Sequence, residues 1–152
     1  MEQFQKYLKE ALQNIKIADH LLYVTFPLIN ERRLLLKVFE EVYKAVVHAM
    51  YAIISYESLL GRVNMHEQLS ENMKNFFKLA RHYDIAHEQL TKIKEICDVH
   101  EQRRLSMMEF VKQEKIVIMS KSLKTNVLDS IKIKEYLLTA KQLVMHLTKK
   151  IN

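Results

Sequence analysis

The chain has 152 residues and carries 24 lysine and arginine residues against 18 aspartate and glutamate residues, a net charge of +6. Its single glycine and single proline exclude the glycine-rich phosphate loops of nucleotide-binding enzymes, and its 49% of hydrophobic residues excludes a disordered chain. The scarcity of glycine and proline also predicts long helices joined by short connections. We therefore expect an all-α fold, with one domain over residues 1–152 built as an antiparallel bundle of about five helices.

The centre of this bundle is predicted to be a long helix spanning about 30–61. The first helix should precede it and end near Tyr23, because Pro27 excludes helical geometry from the residue before it. Asn30 can then cap the central helix, and Gly61 can close it in the left-handed conformation. Apolar residues cover more than half of the central helix, so we expect the other segments to pack around it. Its main seam comprises Leu35, Phe39, Val42, Val46, Ala49, Ile53, Tyr56 and Leu60.

The second half of the chain has a less regular pattern. A short third helix is predicted over 69–80, and a fourth is expected to begin at Asp84 and run to about Lys112. Residues 115–120 are apolar without helical spacing, which favours an extended connector against the bundle. This connector can take the form of a short edge strand, and a continued helix is the alternative. The last helix should start near Asp129, where a regular apolar seam resumes.

The positive charge is concentrated at the end of the chain. Residues 111–152 contain nine lysines and only three acidic residues, Glu114, Asp129 and Glu135. Such an excess favours an anionic partner, with nucleic acid ahead of a membrane surface. The alternative is a solvated lysine-rich face that keeps the protein soluble. The candidate anion-binding residues are Lys112, Lys115, Lys121, Lys124, Lys132 and Lys134.

Metal and cofactor chemistry is not expected. No glutamate is followed three residues later by a histidine, so the di-iron pattern of helical bundles is missing. The single cysteine, Cys97, excludes an internal disulfide and favours a reducing cytoplasm. No apolar run approaches the roughly 20 residues of a membrane span, and the amphipathic start with Glu2 is unlike a secretory signal. We therefore expect a cytoplasmic protein with neither metal nor cofactor.

Two polar residues, His100 and Arg104, interrupt the inward stripe of the fourth helix one turn apart. Burying both is costly unless a carboxylate compensates them. Glu57 interrupts the apolar stripe of the central helix and is the candidate partner. The three residues are predicted to form a polar core cluster that binds an anion or sets the register of a dimer. A satisfied core network or a stripe that turns outward are the alternatives.

The segment Leu79-Ala80-Arg81-His82-Tyr83-Asp84-Ile85-Ala86-His87-Glu88 places Arg81 shortly before His87, at the start of the fourth predicted helix. It resembles the signature of HEPN domains, which are small helical modules found with nucleotidyltransferases and as ribonuclease toxins. Their pattern is an arginine, four to six residues and a histidine. The preceding helical hairpin is also similar to the core of that family, so the resemblance covers about residues 5–110.

The resemblance to HEPN domains implies a catalytic role for Arg81 and His87. In that family the two residues from two protomers meet across a dimer. There the imidazole moves a proton from a ribose 2′-hydroxyl, and the guanidinium stabilises the charge of the phosphorane. Such a reaction cleaves RNA without a metal ion.

These observations favour a HEPN-like helical domain that acts as a dimer and associates with RNA or with a nucleotidyltransferase-type partner. Metal-independent cleavage of RNA is the most specific form of this hypothesis. One alternative is a non-enzymatic module that binds a protein or dimerises through the central helix or the seam of the last helix. Another is a basic RNA-binding protein without catalysis, in which segment 112–134 makes the contacts.

Overall fold

A single long helix, α3 (Leu34–Leu59), lies at the centre of the fold. The computed structural model describes all 152 residues of the chain. In α3, 14 of 26 residues are buried, because helices cover it on several sides, as the sequence predicts. The other elements are the helices α1 (Gln3–His20), α2 (Phe26–Ile29), α4 (Leu69–Leu79), α5 (His87–Arg104) and α6 (Ser130–Ile151), and the strands β1 (Met108–Lys112), β2 (Lys115–Met119) and β3 (Thr125–Leu128).

The first helical segment does not end before Pro27, so that prediction is wrong. α1 continues through a π turn, Leu21–Thr25, directly into α2, and Pro27 lies in the first turn of α2. Within the π turn the amide of Phe26 donates to the carbonyl of Leu21. A proline ring clashes with the carbonyl four residues earlier in a regular α-helix, and the wider turn relieves that clash. The helix therefore passes through the proline instead of stopping at it.

Asn30 ends this first segment and does not cap the central helix, contrary to the prediction. It is left-handed, with φ 54°, and its amide donates to the carbonyl of Phe26 at 2.7 Å. α3 consequently begins at Leu34 and ends at Leu59, so it is shorter at both ends than the predicted span of 30–61.

Gly61 closes α3 in the predicted left-handed conformation, with φ 74°. The amides of Gly61 and Arg62 donate to the carbonyls of Ser58 and Glu57 at 3.0 and 2.9 Å. These two bonds satisfy carbonyls that the end of a helix otherwise leaves unpaired. The chain therefore leaves α3 in a fixed direction.

The fourth predicted helix corresponds to α5, which is shorter than predicted at both ends. Asp84 does not cap it: Asp84 is left-handed, with φ 56°, and the helix begins only at His87. It ends at Arg104 instead of near Lys112. Met107 and Val111, which would continue the inward stripe in a longer helix, therefore lie outside the helix and are 65% and 41% exposed.

The structure contains a three-stranded antiparallel sheet, so the all-α prediction holds only for the helical part of the fold. The strands are ordered β1-β2-β3, and the predicted connector at 115–120 is therefore the central strand and not an edge strand. Ile116 and Ile118 on β2 and Leu128 on β3 are buried against the helices. Residues 108–112 were predicted to be helical, but they pair with β2 because the cross-strand hydrogen bonds and side-chain pairs outweigh local spacing.

α6 begins after Asp129, as predicted, and α4 matches the third helix predicted over 69–80. The Oδ1 atom of Asp129 accepts the amide of Lys132 at 2.8 Å and caps the first turn. α6 packs on α1 and α3, and the rings of Tyr136 and Phe39 meet there with centroids 6.1 Å apart. The predicted seam of α6 is buried: Ile133, Leu137, Ala140, Val144, Leu147 and Ile151.

Candidate functional site

The connection between α4 and α5 carries both residues of the HEPN-like motif. It forms a 3₁₀ turn, Ala80–Tyr83, followed by the left-handed Asp84. Arg81 lies in the 3₁₀ turn and His87 is the first residue of α5, and both are exposed. Both residues form hydrogen bonds only through their backbone atoms. Their side chains are thus free to contact a ligand.

The α4–α5 connection is fixed to the core by contacts with α3 and α6. The hydroxyl of Tyr83 donates to Oε1 of Glu57 near the end of α3. Nε2 of His146 on α6 donates to the carbonyl of Tyr83, and Lys150 on α6 forms an ion pair with Asp84. The position of the connection is therefore set by two helices that are distant from it in sequence.

Glu57 is a buried carboxyl group beneath this connection, with 2% of its surface exposed. Its Oε1 accepts from Tyr83 and lies 3.5 Å from Nη1 of Arg62, whereas its Oε2 has no hydrogen-bond partner. Burial and the bond to Glu57 raise the pKa of Tyr83 above its ordinary value. A phenolate beside a carboxylate is disfavoured, so Tyr83 remains a hydrogen-bond donor.

The predicted polar cluster of His100, Arg104 and Glu57 does not form. The ring of His100 stacks on Tyr43, with centroids 3.5 Å apart and planes at 2°. Tyr43 precedes Glu57 by 14 positions on the same helix, which corresponds to about 21 Å along the helix axis. Arg104 is exposed and pairs with Glu101 on its own helix at 2.6 Å. The inward stripe of α5 turns outward at Arg104, which was one of the alternatives.

A different ionic network forms between α5, α3 and β1. Arg103 pairs with Glu40 on α3, and its Nε lies 2.7 Å from Oε1 of Glu109 on β1. Nε2 of His100 lies 3.9 Å from Oε2 of Glu40, but burial lowers the pKa of His100 below its ordinary value. Burial also raises the pKa of Tyr43 to about 12. This network connects the sheet to the helices, and the periodicity missed Arg103 because it lies off the apolar stripe.

The six lysines predicted to bind an anion fall into two groups. Lys132 and Lys134 on α6 already have partners in the chain. Nζ of Lys132 is 3.0 Å from Oε1 of Glu95, and Nζ of Lys134 is 5.8 Å from the ring centroid of Tyr23. The other four are exposed and form no ion pair; they are Lys112, Lys115, Lys121 and Lys124.

Alternate residues of the three strands form a surface that faces away from the helices. Residues directly opposite each other on neighbouring strands lie on the same side of a sheet. Phe110, Val117 and Val127 therefore form one row across the sheet. Lys112 and Lys115 form the next row, at the tip of the β1–β2 hairpin. This outer sheet face comprises Met108, Phe110, Lys112, Lys115, Val117, Met119, Thr125 and Val127.

The acidic residues of the sheet region are paired with arginines of the helical part. Glu109 pairs with Arg103, and Glu114 in the hairpin turn lies 3.3 Å from Nη2 of Arg32. Gln113 and Glu114 both have positive φ, 51° and 66°, as a two-residue hairpin turn requires. Because both carboxylates are already paired, the lysines on and beside the outer sheet face have no counter-charge from the strands.

Three further observations bear on the chemistry that the chain can support. No group of three or more histidine, cysteine, aspartate or glutamate side chains is arranged to hold a metal ion. Cys97 is mostly buried, and burial raises the pKa of its thiol to about 12, so the thiolate is disfavoured. None of the helices combines the length and the apolar character needed to cross a membrane.

Comparison of the chain with protein-family models, with curated proteins and with solved structures gave no match. The resemblance to HEPN domains therefore depends on the residues of the α4–α5 connection and the helical hairpin, and the catalytic role of Arg81 and His87 stays a prediction. The outer sheet face was not foreseen at all. The β-branched run Ile116-Val117-Ile118 was the sequence signal that favoured a strand there.

Proposed function

We propose that the chain binds single-stranded RNA, and that the outer sheet face is the binding surface. Proteins that bind single strands combine a positively charged surface with aromatic side chains on which bases stack. The observation that carries this proposal is the position of Phe110, a partly exposed residue on the same face of the sheet as the exposed Lys112 and Lys115. In the predicted helix Phe110 and Lys112 would lie on different sides, whereas on β1 they lie two residues apart on the same face.

The dimensions of the sheet suit a nucleotide. Successive residues on one face of a strand are about 7 Å apart, so the Phe110 row and the lysine row are separated by about that distance. A base stacked on Phe110 would therefore leave its phosphate within reach of Lys112 or Lys115. Lys121 and Lys124 follow β2 in the connection to β3 and extend the charged surface beyond the strands.

Replacing Phe110 with alanine tests the stacking part of this proposal. Loss of one stacked base weakens binding by about 1–3 kcal/mol, which corresponds to a roughly 5- to 150-fold rise in Kd. The measurement is fluorescence anisotropy of a labelled 12-nucleotide oligouridine. Val117→Ala is the matched control, because Val117 lies opposite Phe110 on the same face and has no ring. Equal Kd values for the two variants would contradict a stacking role for Phe110.

Charge reversal tests the electrostatic part. Lys121→Glu combined with Lys124→Glu should weaken binding of the same oligouridine at low salt and have little effect at high salt. Both lysines are exposed and unpaired, so the double variant is expected to fold normally. Unchanged binding at low salt would remove the β2–β3 connection from the proposed surface.

A second candidate function is cleavage of RNA by Arg81 and His87, as the resemblance to HEPN domains implies. It is favoured by one observation: both side chains are exposed and neither is engaged by another residue of the chain. An imidazole and a guanidinium suffice for proton transfer and charge stabilisation at a phosphodiester. A nucleotidyltransferase-type protein partner belongs to the same hypothesis.

His87→Ala separates cleavage from binding. Under this second hypothesis the variant should lose cleavage of a labelled RNA and keep its affinity for oligouridine. His82→Ala is the matched control, because His82 is an exposed imidazole on the same connection. If wild-type protein leaves the RNA intact during long incubation, or if both variants cleave it normally, His87 has no catalytic role.

A further inference from the structure

The four unpaired lysines of the sheet region lie at the two ends of the central strand β2. Lys112 and Lys115 flank the β1–β2 hairpin turn at one end, and Lys121 and Lys124 lie in the β2–β3 connection at the other end. The four residues of β3 include no charged residue. A single strand of RNA that crossed the sheet from β1 to β3 would therefore leave its cations behind, whereas one that runs along β2 reaches both lysine pairs.

The β2–β3 connection is a tight turn that fixes its two lysines at the end of the sheet. The amide of Ser120 donates to the carbonyl of Lys124 at 2.9 Å, and the amide of Lys124 donates to Oγ of Ser120 at 3.2 Å. The amide of Leu123, which is left-handed with φ 63°, donates to the carbonyl of Ser120 at 3.0 Å. These bonds set the backbone positions of Lys121 and Lys124, while both residues remain exposed.

The distance between the two lysine pairs fits a short run of nucleotides. Lys115, Val117 and Met119 follow each other on one face of β2, and Lys121 is two residues further along, so the two ends are about 20 Å apart. An extended peptide spans about 3.5 Å over the three backbone bonds of one residue, so the six backbone bonds of a nucleotide span about 7 Å. About three nucleotide repeats, and therefore about four phosphates, reach from one lysine pair to the other.

The two rows between the lysine pairs are suited to the faces of bases and not to their edges. One row contains Phe110 and Val117, and the other contains Met108, Met119 and Thr125. A phenyl ring stacks on a base, and a methionine sulfur makes favourable contacts with aromatic rings, whichever base is present. Recognition of one base by paired hydrogen bonds to its edge requires an amide, a guanidinium, an ammonium or a carboxylate, and neither row contains one.

We propose that the outer sheet face and the β2–β3 connection together bind about four nucleotides of a single strand of any base sequence, with the strand running along β2. This inference rests on the proposed function and specifies its ligand. The terminal phosphates contact the two lysine pairs, one base stacks on Phe110, and the next packs on Met108 and Met119. A dinucleotide reaches only one lysine pair, so the length of a short ligand, and not its sequence, determines its affinity.

Competition against the labelled 12-nucleotide oligouridine tests the length of the site. Unlabelled oligouridines of two to eight nucleotides are titrated into its complex with the full chain, and the inhibition constant is measured by anisotropy. The inhibition constant should fall at least tenfold between two and four nucleotides, because the second lysine pair is then engaged. From four to six nucleotides it should fall only about threefold, in proportion to the number of binding registers. Equal constants at two and four nucleotides, or a further tenfold fall from four to eight, would overturn the proposal.

Two double variants test the direction of the strand. Lys121→Gln with Lys124→Gln should raise the inhibition constant of the uridine tetranucleotide at least fivefold and leave that of the dinucleotide unchanged. Lys112→Gln with Lys115→Gln is the matched comparison and should weaken both ligands, because these lysines lie next to the Phe110 row. Circular dichroism checks that both variants are folded. If the first variant weakened both ligands equally, or neither of them, the strand would not run along β2.

Tetranucleotides of adenosine and cytidine test the absence of a sequence preference. Their inhibition constants should lie within about tenfold of that of the uridine tetranucleotide, because stacking accepts every base. A larger preference for one of them would contradict this part of the proposal. Failure of the 12-nucleotide oligouridine to bind would refute the proposed function and this inference with it, whereas binding without the dependence on length would refute the inference alone.

Discussion

The proposed RNA binding predicts a defined salt dependence, which follows from the four unpaired lysines of the sheet region. Each phosphate contact to a single strand contributes about −0.7 to the slope of log K against log salt concentration. Four contacts predict a slope of about −2.8, so that Kd rises about 50-fold between 50 and 200 mM salt. Lys112→Gln combined with Lys115→Gln removes two contacts. The slope should then become less negative, about −1.4, and Kd should rise only about 7-fold over the same salt range.

Anisotropy titrations of labelled oligouridine at several salt concentrations measure these slopes directly. A double variant of α1, Lys6→Gln with Lys9→Gln, is the matched control, because it removes the same charge from two exposed lysines far from the sheet in sequence. It should keep the wild-type slope. If the two double variants gave the same slope, the sheet lysines would act only through the net charge of the protein. A wild-type slope near zero would refute the phosphate contacts altogether.

Three further predictions concern stability and are checked by urea denaturation. Tyr83→Phe should lower the free energy of unfolding by about 1–3 kcal/mol, because Glu57 loses its buried hydrogen-bond donor. Tyr56→Phe is the control and should have little effect, because the hydroxyl of Tyr56 makes no hydrogen bond. Gly61→Ala should lower the free energy of unfolding by about 1 kcal/mol. The added methyl group meets no atom within 4 Å, but an alanine at φ 74° is strained. Burial lowers the pKa of His100, so the unfolded chain takes up that proton at a higher pH than the folded chain. Stability should therefore decrease as the pH falls below about 6.5, and His100→Phe should reduce that decrease.

The helices were predictable where local rules decide the structure. The seam of α6 and the cap at Asp129 follow from spacing and from the hydrogen bond of a carboxylate to a nearby amide. Gly61 was assigned correctly because only glycine adopts its conformation at low cost. Pro27 misled the prediction because a rule for regular α-helices does not foresee a π turn that accommodates the ring.

The sheet was not predictable because its strands depend on distant partners and give misleading local signals. In β1 the apolar Met108 and Phe110 face outward, while Glu109 faces inward to pair with Arg103. This reverses the alternation expected of a half-buried strand. The hairpin turn between β1 and β2 also lacks the usual glycine or asparagine.

The candidate sites, too, were predictable only where their residues are close in the sequence. Arg81 and His87 could be selected because they are close in sequence and share one connection. The polar cluster failed because the partners of Glu57 and His100 lie on other elements, at Tyr83 and Tyr43. Pairings across the fold depend on packing, which the spacing along one helix does not encode.

The position of α6 constrains the order in which the protein can fold as it is synthesised. α6 follows every other element in the chain, yet it packs on α1 and α3 near the beginning. Until Tyr136 has emerged from the ribosome, Phe39 lacks the ring that covers it in the folded protein. The hairpin of α1 and α3 therefore keeps a hydrophobic surface exposed until α6 has been synthesised, and the final packing of the core is delayed until then.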